Sequence, residues 1–173
     1  MKTQKRKLQN NKKSIIYNYR FFNIKIMEEI FLNKFEHLNR AIKTLEYSIN
    51  ESKKYEKWDL EMFNIFRDSV IQRFEYSFEL SWKMMKFLGI KIEWEDEVRT
   101  VFQAIKMGFR AGYIEDLEKW FEMKDFRNKT SHEYEEDIAD DLYYKVSSEY
   151  LELMQDYIKN LQEKYEWKYF KFN

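Results

Sequence analysis

The chain has 173 residues, a length typical of a single domain. Its hydrophobic fraction of 44% argues against intrinsic disorder, and the absence of proline together with only three glycines argues against an all-β fold. It has no cysteine, so disulfides, thiol catalysis and cysteine-ligated zinc are excluded, and we expect a cytoplasmic protein without a metal or other cofactor. No apolar run approaches the ~18 residues that span a membrane.

The first 26 residues differ from the rest of the chain in charge. They carry eight basic and no acidic side chains, whereas the remaining 147 residues have a net charge of −8. A basic arm of this kind is typical of a nucleic-acid-binding tail. However, Lys, Asn, Ile, Tyr and Phe, which all have AT-rich codons, supply 18 of these 26 residues. We therefore expect residues 1–26 to be an N-terminal extension that is disordered, or upstream sequence preceding a true start at Met27.

After Met27, apolar residues recur at intervals of three or four, which predicts helices. They are expected at residues 27–55, 59–88, 95–107, 115–129 and 137–165. Gly89 is expected to end the second helix, and Gly108 and Gly112 to bracket a turn. The predicted fold is all-α, an up-and-down four-helix bundle with an extra short helix. The bundle, at residues 27–165, is predicted to be followed by an aromatic and basic tail at residues 166–173.

The apolar stripes are interpreted as core. Their members on the second, third and last helices are Phe63, Phe66, Val70, Phe74, Phe78, Trp82 and Met85; Val98, Val101, Phe102 and Ile105; and Ile138, Leu142, Val146, Tyr150, Met154, Ile158 and Leu161. An aromatic stripe can also stack nucleobases, but aromatic residues at helical spacing in a bundle are more often core. The tail either contacts RNA or covers a dimer seam, and the sequence does not decide between them.

A polar tract at residues 125–134 joins the fourth and last predicted helices. It contains Arg127, His132 and Tyr134. Arginine holds phosphate through a planar fork of donors, histidine moves protons near neutral pH, and tyrosine offers a hydroxyl that can be modified. Together they can support phosphodiester cleavage without a metal, in which the 2′-hydroxyl of RNA attacks. The alternative is structural, with Arg127 paired to Asp125 and His132 near a helix end.

Three tracts then resemble one family, in the same order along the chain. Arg127, His132 and Tyr134 match the R-x-x-x-x-H-x-Y motif of HEPN-domain toxins, and Asn128 is the polar residue that usually follows the arginine. The tracts at residues 73–83 and 98–114 are similar to the nucleotidyltransferase substrate-binding-protein branch of that family. The resemblance covers residues 27–161 and implies a HEPN bundle similar to the C-terminal domain of kanamycin nucleotidyltransferase.

The resemblance also implies a function. Proteins of this kind form homodimers in which both Arg–His motifs line one cleft, and they are encoded beside a minimal nucleotidyltransferase. In toxin–antitoxin pairs they are metal-independent endoribonucleases, which would make Arg127 and His132 catalytic and transfer or messenger RNA the substrate. The partner neutralises the toxin by transferring AMP to the motif tyrosine, here Tyr134. The alternative is a non-catalytic subunit that presents a nucleotide or acceptor substrate to the nucleotidyltransferase.

Acidic residues near the motif allow other interpretations. Glu75 and Glu79 on the second helix form a general acid/base pair, orient Arg127 or His132, or are solvent-exposed, with Glu79 paired to Lys83. Among these alternatives we assign the two a supporting role. A dense acidic patch follows the motif, at Glu133, Glu135, Glu136, Asp137, Asp140 and Asp141. The patch could bind Mg²⁺, but we favour acids that complement the dipole of a helix start. The other histidine, His37, is interpreted as structural or surface.

Overall fold

The structure is a computed structural model and describes residues 2–91, 93, 98–130 and 136–170. Every regular element in these ranges is helical, and the all-α prediction is confirmed. The elements are α1 (Lys2–Tyr55), α2 (Leu60–Lys91), α3 (Val101–Arg110), α4 (Leu117–Thr130), α5 (Glu136–Lys145), a π-helical turn (Val146–Tyr150) and α6 (Leu151–Phe170). Over the described part of the chain, each helix is too short or too polar to cross a membrane.

Two compact units divide the chain, Met1–Glu36 and His37–Asn173. The first contains the N-terminal part of α1, in which the rings of Phe31 and Phe35 stack with 6.0 Å between their centroids. The second contains the rest of α1 and all later helices. Helix α1 begins at Lys2. A helix there does not identify the true start of the protein, so the interpretation of residues 1–26 as an extension stays a prediction.

Aromatic side chains fill the core of the second unit. Phe74 and Phe78 on α2 are fully buried, as the stripe predicted. The ring of Phe78 lies 6.2 Å from that of Trp120 on α4, which meets Tyr157 on α6 edge to face at 5.5 Å. The ring of Phe74 stacks on Tyr150 of the π-helical turn. The core interpretation is therefore confirmed for these rings, which join α2 to α4 and to the C-terminal helices.

Gly89 does not end α2, contrary to the prediction. The helix continues to Lys91, and Gly89 is buried within it. A Cβ atom at this position would lie 2.9 Å from Val98 Cγ2 and 3.1 Å from Met107 Cγ. Glycine is therefore needed here for close approach between α2 and the α3 region, a use that sequence does not distinguish from a helix stop.

Of the two glycines expected to bracket a turn, only Gly112 lies in one. Its φ of +67° is in the left-handed region, which favours glycine. Gly108 lies inside α3, where an added Cβ would come within 2.9 Å of Met85 Sδ. The side chain of Lys164 donates to the Ala111 carbonyl beside Gly112 at 2.7 Å, which fastens the α3–α4 turn to α6.

Helix α3 begins later than expected and exposes one residue predicted to be core. A capping box fixes its start, because Thr100 accepts from the Gln103 backbone and the Gln103 side chain accepts from Thr100. Ile105 is buried as predicted, but Phe102 is 46% exposed. The buried face consists of Ala104, Ile105, Met107 and Gly108. Phe102 lies outside that face, so its assignment to the core was wrong.

The last predicted helix is three elements in the structure. Its apolar residues advance in steps of four, so on a regular α-helix each successive residue would turn roughly 40° further from the core. The π-helical turn at Val146–Tyr150 has more residues per turn and absorbs part of this drift. Val146, Tyr150 and Met154 are consequently all fully buried.

Candidate functional site

Arg127 lies in the last turn of α4. The helix starts where the Asp116 carboxylate accepts the Lys119 backbone N–H at 2.9 Å, as an N-cap does. Trp120 and Met123 are buried and fix the inward face of α4. Arg127 is seven residues beyond Trp120 and so lies at the end of that face, with its side chain 40% exposed. The packing of α4 thus presents a partly exposed guanidinium at the edge of the bundle.

Glu79 on α2 contacts Arg127 and organises its surroundings. Its Oε2 atom lies 3.9 Å from Arg127 Nη2 and accepts a hydrogen bond of 3.0 Å from the indole Nε1 of Trp82. Its Oε1 atom lies 2.8 Å from the Lys83 ammonium. The sequence offered pairing with Lys83 and orientation of Arg127 as alternatives, and the structure has both contacts at once.

The protonation state of Glu79 follows from these contacts. Partial burial raises the pKa of its carboxyl, but the hydrogen bonds from Lys83 and Trp82 and the charges of Lys83 and Arg127 lower it by more. The net pKa is below the ordinary value for glutamate, so the group is a carboxylate at neutral pH. It therefore acts as a fixed anion beside Arg127 and is poorly suited to donate a proton.

The remaining predicted site residues are only partly described. Asn128 is exposed beside Arg127, and Glu75 is half-buried one turn before Glu79 on α2. His132 and Tyr134 fall within residues 131–135, outside the described ranges. The structure thus brings Arg127 and Glu79 together, and the convergence of the other motif residues stays a prediction.

A network of ion pairs that the sequence did not indicate ties α4 to the helices after it. Lys119 bridges Glu122 at 3.2 Å and Glu149 in the π-helical turn at 2.6 Å, and Glu122 also pairs with Lys145 at the end of α5. The hydrogen bond from Lys145 is the main cause of a lowered Glu122 pKa. Within α4, Lys119 precedes Glu122 by three residues, the reverse of the more favourable order in which the glutamate comes first. The partners on other elements, Lys145 and Glu149, lie at no sequence spacing that would reveal them.

The acidic patch is described only in part, and one member has a structural partner. Asp140 on α5 lies 2.6 Å from Arg67 Nη1 on α2, and the Arg67 side chain is only 5% exposed. Burial lowers the pKa of Arg67, but Asp140 and the neighbouring Asp68 raise it above its ordinary value. Helix α5 begins at Glu136, as the dipole interpretation requires. Within the described ranges, no three acidic or histidine side chains form a potential metal site.

His37 lies on α1, at the start of the second unit. It is exposed and lines an open groove of about 200 Å³ with Arg40, Thr44 and Tyr76. This position agrees with its interpretation as a surface residue. None of the groove residues belongs to the predicted catalytic motif.

Comparison with known proteins identifies the family. Residues 33–163 match the family model described as nucleotidyltransferase substrate binding protein like. The chain belongs to this family. A curated relative from Haemophilus influenzae, named probable ribonuclease HepT, is 32% identical over 116 residues, which are 63% of this chain and 79% of that protein. The resemblance to the HEPN family is thereby confirmed.

Solved structures show the same helical fold. One from Haemophilus influenzae, described as a substrate binding domain of a nucleotidyltransferase, has a TM-score of 0.65 and 26% identity, and covers 74% of this chain and 98% of its own. A Thermus thermophilus protein has a TM-score of 0.60 and 25% identity, with coverages of 72% and 98%. A mutant of the toxin–antitoxin pair MntA–HpeT has a TM-score of 0.61 at 16% identity, with coverages of 78% and 98%. The last likeness concerns the fold alone.

Proposed function

We propose that this protein is the HEPN-type toxin of a toxin–antitoxin pair, a cytoplasmic, metal-independent endoribonuclease. The observation that carries the proposal is the Arg127 guanidinium, held beside Glu79 at the partly exposed end of α4. His132 and Tyr134 follow it within a few residues of chain. The relative named probable ribonuclease HepT supports the same activity.

The proposed reaction uses Arg127 and His132. The 2′-oxygen of a ribose attacks the adjacent phosphorus while the bond from phosphorus to the 5′-oxygen of the next nucleotide breaks. His132 moves the proton of this exchange, and Arg127 stabilises the extra negative charge on the phosphorane. The products are a cyclic phosphate and a free 5′-hydroxyl, so no water molecule or other co-reactant is consumed.

The site is proposed to be composite. Two copies of the chain form a homodimer in which both motifs line one cleft, so that two Arg127 side chains concentrate positive charge on an otherwise acidic body. Glu79 positions its own Arg127, and Glu75 and Asn128 support the motif from the neighbouring turns. The substrate is transfer or messenger RNA.

Control of the toxin is proposed to act on Tyr134. A separately encoded minimal nucleotidyltransferase would transfer AMP to its hydroxyl, forming a bond between the tyrosine oxygen and the α-phosphorus of ATP and releasing pyrophosphate. The added phosphate is anionic and bulky where the RNA phosphate must bind, so it would repel and block the substrate.

Cleavage of RNA without metal tests the proposal. The protein is produced without its partner, intact mass confirms an unmodified Tyr134, and total transfer RNA is added in EDTA. We expect discrete fragments from the wild type and a loss of at least about a hundredfold in His132→Ala and Arg127→Ala. His37→Ala is the matched control, because that histidine is exposed on α1 and is not part of the motif, and it should cleave like the wild type.

A second candidate function is a non-catalytic subunit that binds a nucleotide or acceptor substrate. It is favoured by the family description and by the solved relative described as a substrate binding domain. Absence of RNA fragments from a folded dimer, together with calorimetric binding of ATP or AMP that Arg127→Ala abolishes, would support this function in place of the nuclease.

A further inference from the structure

Two phenylalanines form an exposed stacked pair where α3 meets α4. The rings of Phe102 and Phe121 lie 4.9 Å apart between centroids, with only 17° between their planes. Phe102 is 46% exposed and Phe121 is half-buried. Large apolar rings usually contribute to the core, which here is filled by Trp120 on the neighbouring position of α4. The pair therefore joins α3 to α4 and still leaves much of the Phe102 ring exposed to solvent.

A lysine ammonium lies over each ring of the pair. The Lys106 ammonium lies 4.3 Å from the Phe102 ring centroid, and the Lys124 ammonium lies 5.9 Å from that of Phe121. Helix α3 contains no acidic residue, in contrast to the net charge of −8 after residue 26. Lys124 also pairs with Asp125 at 2.8 Å, so Lys106 is the stronger attractor of the two for an anion.

The aromatic pair is continuous with the candidate catalytic arginine. Lys124 lies three residues after Phe121 and three before Arg127, so these residues follow one another along the surface of α4. Six residues of α-helix separate Phe121 from Arg127, which is about 9 Å along the axis and roughly 120° around it. A single strand that runs obliquely across α4 can therefore place one phosphate at Arg127 and a base a few nucleotides away on the phenylalanine pair.

We propose that Phe102 and Phe121, with Lys106 and Lys124, form a platform that stacks a nucleobase of single-stranded RNA a few nucleotides from the cleavage site. This inference rests on the proposed function and names how its substrate is held. A base would replace the Lys106 ammonium on the Phe102 ring, since the lysine stem is flexible, and the ammonium would then pair with a phosphate of the same strand.

The combination of groups favours RNA over a protein partner. A protein interface needs a broad apolar patch with few charges at its centre, whereas here lysines lie over the two stacked rings, and Lys106 stands between Phe102 and Phe109, the next exposed phenylalanine of α3. Stacking on rings and cations that follow the backbone is how single strands are bound without strict sequence preference. The surface therefore predicts a stacked base and no strong choice among the four bases.

Binding of RNA, measured apart from cleavage, tests the platform. All variants are made in a His132→Ala background, and a fluorescein-labelled single-stranded RNA of mixed sequence is titrated by anisotropy at several salt concentrations. We expect Phe102→Leu to weaken binding roughly tenfold, because leucine keeps apolar volume but offers no ring. Lys106→Gln should flatten the slope of log affinity against log salt by about 0.7. Trp58→Leu, which removes an aromatic ring that is 88% exposed, should change neither.

The outcomes separate the platform from the nuclease. If RNA is bound and both variants match the parent in affinity and salt slope, the platform is wrong, although wild-type cleavage could still establish the nuclease. If the parent itself binds no RNA, both ideas fail. A loss of nucleotidyltransferase association with unchanged RNA affinity would make the surface a protein contact and overturn the platform. If circular dichroism shows that Phe102→Leu has lost helix, the affinity and salt slope of Lys106→Gln alone decide whether the platform is right, because Lys106 is exposed.

Discussion

Glu79 gives Arg127 an electrostatic environment that a lone surface arginine lacks. The carboxylate accepts from Trp82 and pairs with Lys83, and these contacts fix it before any ligand arrives. The 3.9 Å separation from Arg127 is long for an ion pair. A phosphate can therefore compete with Glu79 for the guanidinium, while the carboxylate still limits where the arginine points.

Removing the charge of Glu79 should distinguish its effect on the position of Arg127 from its effect on RNA binding. Glu79→Gln keeps an oxygen acceptor for Trp82 but removes the charge next to Arg127. We expect the cleavage rate at saturating RNA to fall roughly tenfold, because the guanidinium is less well placed. RNA affinity should stay the same or rise, because a negative charge has been removed.

The matched control for this substitution is Glu118→Gln, which removes an equal charge from an exposed position on α4. It should affect neither rate nor affinity by more than about twofold. If Glu79→Gln lowers RNA affinity and leaves the saturated rate unchanged, Glu79 does not position Arg127 for the reaction.

At the scale of elements, a helix uses glycine in two ways, as a stop and as a site of close packing against a neighbour. Gly89 was predicted to be a stop because it follows a strong apolar stripe. Its actual neighbour, Val98, is far enough in sequence that no local pattern announces the contact. The prediction that Phe102 is buried was wrong for a related reason. The side of α3 that faces the core depends on where the helix begins, and the capping box sets that start at Val101.

Substitution of the two buried glycines should have unequal effects. At Gly89 a new methyl group meets the stiff, branched Val98 and also Met107, whereas at Gly108 it meets only the flexible Met85. Alanine is the better helix former by about 1 kcal/mol, which offsets part of either clash. We expect Gly89→Ala to lower the free energy of unfolding by about 1–2 kcal/mol and Gly108→Ala to leave it nearly unchanged.

Urea unfolding of both variants followed by circular dichroism measures this difference. Far-ultraviolet spectra of the folded states serve as the control for a preserved helix content. Equal stability of Gly89→Ala and the wild type would show that α2 and α3 can move apart at no cost, contrary to the close packing.

At the scale of the whole molecule, ion pairs connect helices that the sequence could not associate. Lys119, Glu122, Lys145 and Glu149 join α4 to α5 and the π-helical turn, while Asp140 joins α5 to α2. Helix existence was predictable because apolar periodicity is local. Partners across helices were not, because surface charges have no period that identifies their neighbours. The same limit applies to the site, where the sequence offered contact between Glu79 and Arg127 only as one of several alternatives.

These carboxylates predict how stability depends on pH. The pKa values of Glu79 and Glu122 lie below the ordinary value of 4.5, so the folded state binds fewer protons than the unfolded state just below that pH. Their contribution is fully present above pH 4.5 and is lost as the pH falls through the lowered values. We expect thermal stability to be nearly flat from neutral pH to about pH 5 and to decline below it.

The Glu122→Gln variant identifies the origin of this decline. It should be less stable than the wild type near neutral pH by about 0.5–1 kcal/mol, discounted for the partial exposure of both partners. The difference should shrink at acidic pH, where the wild-type carboxyl is also neutral. A difference that is constant across the titration would mean that the network contributes through packing and not through charge.

The π-helical turn has a consequence for how relatives of this chain must be aligned. Its wider coil accommodates an additional residue between the apolar positions before and after it, as a one-residue insertion into an α-helix would. Deleting one residue there would turn the segment into a regular α-helix and would leave Met154, Tyr157 and Leu161 on the inward face. Homologues with a shorter segment can therefore bury the same set of side chains, and a gap-free alignment through this turn would pair residues that do not occupy equivalent places.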